Sequence, residues 1–274
     1  MSYVWELVKS IILGIVQGIT EYLPISSTGH MLLINEFLQL QFSEDFVNAF
    51  LVVIQLGSIL AVVVLYFKRL WPFDFKNCTK KQRIDIWILW SKIFVGCIPA
   101  IIAGVLVDDI IDQYMHTPVV IALALIIYGI LFIIIENSHI KVTMKTVEDI
   151  DYITAANIGL FQMLALIPGT SRSGSTVMGG RILGVSKEAV SEFSFFMAVP
   201  IMAGATLLKL LKVGFSFSLF EWIIMGVGTL VAFIVSVISI KFLMNYIKKH
   251  SFKVFGYYRI VLGILVLVYF LVLK

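Results

Sequence analysis

Long apolar runs separated by short polar connections dominate the chain. A helix that crosses a bilayer needs about 20 mainly apolar residues. Six stretches meet that length, near 49–66, 86–106, 118–136, 190–211, 218–241 and 254–273. Two further regions break the pattern. Around 4–38 and 152–185 an apolar run enters, meets a cluster of Pro, Gly, Ser and Thr, and leaves through a second run too short to cross, such as "MLLI" before Asn35 and Glu36. Irregular backbone at membrane depth needs protein or a water-filled cavity to satisfy its polar groups. Each region is therefore expected to form a re-entrant helix–loop–helix hairpin.

The two broken regions also resemble each other. "LPISSTGH" at 23–30 aligns with "IPGTSRSG" at 167–174 at an offset of 144 to 145, and "AFLVVIQLGS" at 49–58 then faces "SFFMAVPIMA" at 194–203. The expectation is an all-α integral membrane protein, a single membrane domain over 1–274 with pseudo-repeat halves of about 1–145 and 146–274. Each half is a hairpin plus three transmembrane helices. Three crossings are an odd number, so the halves must be inverted, and broken helices of inverted repeats commonly meet near the bilayer midplane to build a binding site.

Composition agrees with that class. The chain has 274 residues, 60% hydrophobic and 14% charged, with a mean hydropathy of +1.00, whereas soluble domains run near 45–50% apolar and about 25% charged. A net charge of +4 is modest, and its basic residues gather in two connections rather than along a face, which argues against nucleic acid as a partner. The 67–85 connection carries Lys68, Arg69, Lys76, Lys80, Lys81 and Arg83, and 241–253 carries Lys241, Lys248, Lys249 and Lys253. By contrast, 107–117 has no Lys or Arg but holds Asp108, Asp109 and Asp112. The positive-inside rule makes the first two cytoplasmic and the third external, with both termini outside, the first hairpin entering from outside and the second from inside. Lys209 and Lys212, in an expected external connection, run against this assignment. Cys78 and Cys97 form neither a disulfide framework nor a metal motif. The opening "MSYVWELVKSIILGIVQG" lacks a basic start and a cleavage pattern, and reads as a membrane element rather than a signal peptide.

The polar residues of the first hairpin are Gln17, Glu21, Ser26, Ser27, Thr28 and His30. Gln17 and Glu21, four apart, share one helix face, so a carboxylate, an imidazole and several hydroxyls converge on one loop. A polar helix cap with a snorkelling glutamate is the structural alternative; intramembrane ionisable groups more often mark function. In the second hairpin Arg172 stands among Ser171, Ser173, Gly174, Ser175 and Thr176. An arginine near the bilayer centre costs roughly 2.5–3.5 kcal/mol on insertion scales, so an anion should compensate it. Its planar guanidinium suits bidentate capture of phosphate, and glycine-rich backbone at a helix N-terminus adds N–H donors and the positive end of the dipole. An internal pair with Glu21 would serve as well, and the two readings are compatible. Gln55, Ser191, Glu192 and Ser194 are expected to make structural hydrogen bonds, and His116, His139 and His250 to be solvated in loops. No histidine pair, phosphate-binding nucleotide loop or paired cysteine motif occurs, which argues against a zinc site or an ATP-driven engine.

"QGITEYLPISSTGHM" and "LALIPGTSRSGSTVMGG", with "FLVVIQLGSILAVVV" and "SEFSFFMAVP", resemble the undecaprenyl-pyrophosphate phosphatases, the bacitracin-resistance family of bacterial inner-membrane enzymes. The resemblance covers essentially the whole chain. It implies hydrolysis of undecaprenyl pyrophosphate to undecaprenyl phosphate and inorganic phosphate, recycling the lipid carrier of cell-wall synthesis. It also implies interdigitated hairpins, a site open to the external side, and a divalent cation such as Mg²⁺ or Ca²⁺. The family's acidic motif falls on Gln17 and Glu21, its serine–histidine motif on Ser26, Ser27, Thr28 and His30, and its arginine motif on Ser171, Arg172 and Ser173. Gln17 stands where some relatives have glutamate, which weakens any scheme that needs two carboxylates on a metal.

Pyrophosphate hydrolysis depends mainly on positioning and charge stabilisation. Arg172 with Ser171, Ser173, Gly174 and Thr176 is expected to clamp the phosphoryl oxygens. Ser27 attacks after losing its proton to His30 or Glu21, giving a phosphoserine, or the same groups activate water; the serine route is slightly favoured. Glu21, with Gln17, is a candidate metal ligand, and general base is its competing role. Membrane lipids and a further copy of the chain are the other partners considered. A secondary transporter or lipid flippase is the rival reading, against which stands the combination of carboxylate, serine, histidine and arginine. A scaffold would leave Arg172 and Glu21 unexplained.

Overall fold

A computed structural model describes residues 3–75, 78–115 and 117–273, apart from the side chains at 35, 108–110, 112, 113 and 273. Among the described residues there is no β-strand, only one isolated bridge between Met144 and Val185. The first hairpin is α1 (Tyr3–Thr20) and α2 (Ser27–Phe37). Then follow α3 (Glu44–Leu65), the short α4 (Phe67–Leu70), α5 (Lys80–Tyr114) and α6 (Pro118–Asn137). The second hairpin is α7 (Tyr152–Met163) and α8 (Arg172–Ile182), and α9 (Lys187–Val213), α10 (Leu219–Ile247) and α11 (Lys253–Val268) complete the chain.

Among the described residues seven helices, α1, α3, α5, α6, α9, α10 and α11, are long and apolar enough to cross a membrane. The protein is an all-α, multi-pass membrane protein. The entering helices of the two hairpins differ in length: α1, at 18 residues, spans about 27 Å and is long enough to cross, where only a re-entrant arm was expected, whereas α7 has 12 residues and spans about 18 Å. Three helices run past their expected ends. Helix α5 continues through 107–114, where a connection was expected, and α10 continues to Ile247, which places Lys241 inside a helix. Helix α9 extends to Val213, so Lys209 and Lys212 are helical too. Apolar runs mark only the lipid-buried part of a helix; backbone hydrogen bonding carries the rest into water. The side chains of Asp108, Asp109 and Asp112, and all of Lys76 and His116, lie outside the described residues.

Each hairpin packs against the other half of the chain: α1 against α10, and α7 against α5. Likewise α2 reaches α11 and α8 reaches α6, while α3 packs on α9 and α6 on α11. Matched glycines allow the hairpins to approach this closely. A Cβ on Gly14 would stand 2.6 Å from the Gly228 carbonyl oxygen, and one on Gly159 would collide with that of Gly96. Between these layers Tyr22 lies edge-on to Phe195 and donates to the Ser58 carbonyl at 2.6 Å. Ser236 Oγ donates to Ser58 Oγ at 2.9 Å, so Ser58, rather than Gln55, braces the first hairpin. Glu192 has the structural role expected of it, pairing with Arg69 at 2.5 Å.

Candidate active site

Proline stops the first helix of each hairpin. Pro24 and Pro168 disfavour helix at the residue before them, and the chain restarts on a serine: Ser26 at φ 70° and Ser171 at φ 74°. Each serine then caps the next helix. Ser26 Oγ accepts from Gly29 N at 3.4 Å and Ser171 Oγ from Gly174 N at 3.1 Å.

The two breaks meet. Arg172 begins α8, and its Nη2 donates to Glu21 Oε1 at 3.1 Å while Nη1 donates to the Ser194 carbonyl at 2.9 Å. Ser173 Oγ lies 3.3 Å from the carbonyl oxygens of both Glu21 and Leu23. The other oxygen of Glu21 accepts from Gln17 Nε2 at 2.9 Å and from Ser27 Oγ at 3.4 Å. One buried carboxylate thus joins Gln17, Ser27 and Arg172, three residues from two hairpins.

His30 is oriented elsewhere. Its Nδ1 lies 2.7 Å from the Ser26 carbonyl oxygen, which can only accept, so Nδ1 carries the proton. Nε2 of the neutral ring then accepts from Tyr258 Oη, also at 2.7 Å. The hydroxyl of Ser27 accordingly faces Glu21, with no hydrogen bond to His30. Thr28 is exposed, and among the described residues its side chain has no hydrogen-bond partner. The Gly174 N–H and Ser171 Oγ are engaged in the α8 cap, and Thr176 Oγ1 bonds Ser194 Oγ at 2.6 Å. These groups shape the turn that presents Arg172.

Arg259 stands outside both hairpin motifs. It is fully buried on α11, and it donates to Pro24 O at 3.3 Å and to Gly169 O and Thr170 O at 2.9 Å each. One guanidinium therefore holds the backbones of both breaks together, and it forms no ion pair among the described residues. Its signal was present: an arginine inside the apolar run "YYRIVLGILVLV" is a functional hypothesis by default. Arg172 pairs with the carboxylate of Glu21, and Arg259 adds a second guanidinium at the junction of the two breaks, so among the described residues these three groups carry a surplus of positive charge, which suits an anion.

No group of three or more His, Cys, Asp and Glu side chains suited to a metal occurs among the described residues. The oxygen donors of Glu21, Gln17 and Ser27 fit a hard divalent cation that takes one carboxylate and completes its shell with substrate oxygens and water.

The family model described as "Bacitracin resistance protein BacA" matches residues 10–265. The chain is 59% identical over 267 residues to an undecaprenyl-diphosphatase of Enterococcus faecalis, covering 96% of each. It is 56% identical over 269 residues to undecaprenyl-diphosphatase 1 of Clostridioides difficile (strain 630), covering 98% of this chain and 97% of that one. With such matches over nearly the whole length, carrying both hairpin motifs, the chain belongs to the bacitracin resistance protein BacA family.

Proposed function

We infer that this protein is an undecaprenyl-diphosphatase. It hydrolyses undecaprenyl pyrophosphate to undecaprenyl phosphate and inorganic phosphate, recycles the carrier for cell-wall synthesis, and so confers bacitracin resistance. The observation that carries the reading is the meeting of Arg172 with Glu21 and Ser27 at the junction of the two hairpins. A binding site for a diphosphate needs the arginine alone; a nucleophilic hydroxyl donating to a carboxylate is the equipment of hydrolysis.

In the mechanism, the terminal phosphate takes the Nη groups of Arg172 from Glu21 and Ser194. Released from the ion pair, Glu21 accepts the Ser27 proton. Ser27 Oγ then bonds to the terminal phosphorus as the bridging P–O bond breaks, and undecaprenyl phosphate leaves. The departing undecaprenyl phosphate takes that proton from Glu21 and frees the carboxylate. Water, deprotonated by Glu21, then attacks the phosphoserine phosphorus, and Ser27 Oγ leaves with the proton returned from Glu21 as orthophosphate is released. Arg172 stabilises charge on the phosphoryl oxygens in both steps, and His30, held by Ser26 and Tyr258, fixes the turn beneath Ser27. Glu21 and Gln17, with Ser27, are the residues that would hold Mg²⁺ or Ca²⁺, whose charge would offset that of the pyrophosphate.

The reading puts the protein in the bacterial cytoplasmic membrane, with the basic connections at 67–85 and 241–253 on the cytoplasmic side and, as the family resemblance implies, the site open to the external face. The exchange of packing partners between halves, α1 with α10 and α7 with α5, supports the inverted repeat. Phosphate release from undecaprenyl pyrophosphate by purified protein in detergent tests the function, with Glu21→Ala, Ser27→Ala and Arg172→Ala alongside and a chelator arm. Wild type should release phosphate, and Glu21→Ala and Arg172→Ala, still folded, should not. A folded wild type that releases none with cation present would leave lipid transport as the better reading.

A further inference from the structure

Six buried side-chain nitrogen and oxygen atoms among the described residues lack a hydrogen-bond partner, and four of them lie on the α7–α8 hairpin: both amide atoms of Gln162, Nε of Arg172 and Oγ of Ser175. Gln162 is 2% exposed and Ser175 fully buried. Arg172 and Ser175 are three apart, on one face of α8, and Gly179, four further on, continues that face. A Cβ on Gly179 would stand 2.5 Å from the Phe161 ring. On α7, Gln162 lies one turn beyond Ile158, whose Cδ1 would sit 3.5 Å from a Cβ on Gly180. The unpartnered groups therefore lie on two helices that pack directly against each other, Arg172 and Ser175 on α8 and Gln162 on α7.

A buried amide without a partner destabilises a fold, and an apolar side chain of its size would remove that cost. Such departures are expected at functional sites. The register of the repeat gives the amide a counterpart. Ser26 and Ser171 are 145 residues apart, as are Gly29 and Gly174, and the same step leads from Gln17 to Gln162. Gln17 donates to Glu21, but the position matching Glu21 is Leu166. The charged group at the second turn is instead Arg172, with an Nε–H that has no acceptor among the described residues.

We propose that Gln162 is a positioning residue for Arg172: across the α7–α8 seam, directly or through water shared with Ser175, its amide oxygen holds the Nε edge while both Nη groups turn to the terminal phosphate. This rests on the reading of Arg172 as the phosphate clamp. The assignment explains why the seam is polar where Leu or Met would pack.

The test compares Gln162→Met, Gln162→Glu, Arg172→Lys and the Gln162→Met/Arg172→Lys double variant. It measures thermal unfolding in detergent, kcat and KM for undecaprenyl pyrophosphate, and affinity for a methylene-bridged analogue that cannot be hydrolysed. Gln162→Met should unfold at the wild-type temperature or above it, yet lose about tenfold in kcat/KM and in analogue affinity, the size of one hydrogen bond to a charged group. Gln162→Glu, which keeps the acceptor, should retain more activity than Gln162→Met. In the Arg172→Lys background, Gln162→Met should weaken analogue binding by less than about twofold, because coupled residues are not additive. Wild-type kcat/KM in Gln162→Met, or full additivity with Arg172→Lys, would overturn the proposal and leave the phosphatase reading intact. Should Gln162→Met fail to fold, a Gln162→Glu protein that folds but is no more active than Arg172→Ala would overturn it as well. Full activity in Arg172→Ala would instead remove the clamp reading itself.

Discussion

In both hairpins the chain restarts after a proline on a serine held in the left-handed region, and in both that serine caps the next helix through a glycine three residues on. A non-glycine residue there costs of order 1–3 kcal/mol and persists only when its surroundings hold it. What the two turns carry differs. The first presents Glu21, Ser27 and His30; the second presents Arg172 and no carboxylate within 164–176. Equal backbone and unequal chemistry put the carboxylate, hydroxyl and imidazole on one hairpin and the guanidinium on the other. Glu21 and Arg172 become a pair only when the halves have docked, with Arg259 joining Pro24 to Gly169 and Thr170. The site is therefore a product of tertiary packing, and neither half contains it.

The most severe way to break this comparison is to remove one member from each hairpin. Glu21→Ala and Arg172→Ala should each lower kcat/KM by about 10²–10³-fold, the usual loss when a charge-stabilising group is removed, but through different parameters. With Arg172→Ala, affinity for the methylene-bridged analogue should collapse. With Glu21→Ala, binding should survive or tighten, because the guanidinium is freed from its internal partner. Equal loss of binding in both would mean that the hairpins do not divide the labour.

A smaller effect separates groups within the first hairpin. Because Ser27 faces Glu21 and His30 faces Tyr258, His30→Ala should keep activity well above Glu21→Ala, with a loss on the order of tenfold. Tyr258→Phe, which removes one hydrogen bond, should lose less still. Steady-state assays decide it: a His30→Ala protein as inactive as Glu21→Ala would make the imidazole the base for Ser27.

Much of this arrangement was legible in the chain. Apolar runs and Pro-Gly-Ser breaks located both hairpins, and "PISSTGH" and "PGTSRSG" located the residues at their turns. What was not legible has physical reasons. Arg259 binds carbonyl oxygens, and a backbone acceptor leaves no mark on the residue that supplies it. Its neighbour Tyr258 meets His30 from 228 residues away. Spacing of three between Ser27 and His30 suggested a pair, yet both lie in the first turn of α2, where the imidazole returns to the Ser26 carbonyl. The reach of α5 through 107–114 was hidden because acidic residues read as a connection even where the backbone remains helical.

The seating of the hairpins gives a stability test that leaves the chemistry alone. Gly14→Ala and Gly159→Ala both push a methyl group into a facing carbonyl, and overpacking of this kind costs about 1–3 kcal/mol. Thermal unfolding in detergent should fall in both. Gly204→Ala, at a helical position with open space around it, should be neutral or better, since alanine exceeds glycine in helix propensity by about 1 kcal/mol. A loss confined to one hairpin would show that the halves are not seated alike.

The smallest difference lies at the entry to α7. There Asp149 accepts from Thr146 N at 2.9 Å and Lys145 N at 3.0 Å, and Asp151 accepts from Thr154 N at 2.7 Å. Hydrogen bonds from the Thr146 and Lys145 amides hold the Asp149 carboxyl below its usual range, and the Thr154 amide does the same for Asp151. A carboxylate stabilised in the folded state contributes fully above its ordinary pKa, near 3.9, and the contribution is lost as pH falls through the depressed value. The caps at Gly29 and Gly174 rest on serine hydroxyls, which do not titrate. Acidification from about pH 5 to below about pH 3 should therefore reduce amide-exchange protection at Lys145, Thr146 and Thr154, scaled to intrinsic rates, before it does so at Gly29 or Gly174. If Thr154 and Gly174 lose protection together, the entry to the second hairpin is not held by its carboxylates, and acid acts on the docked turns as one unit.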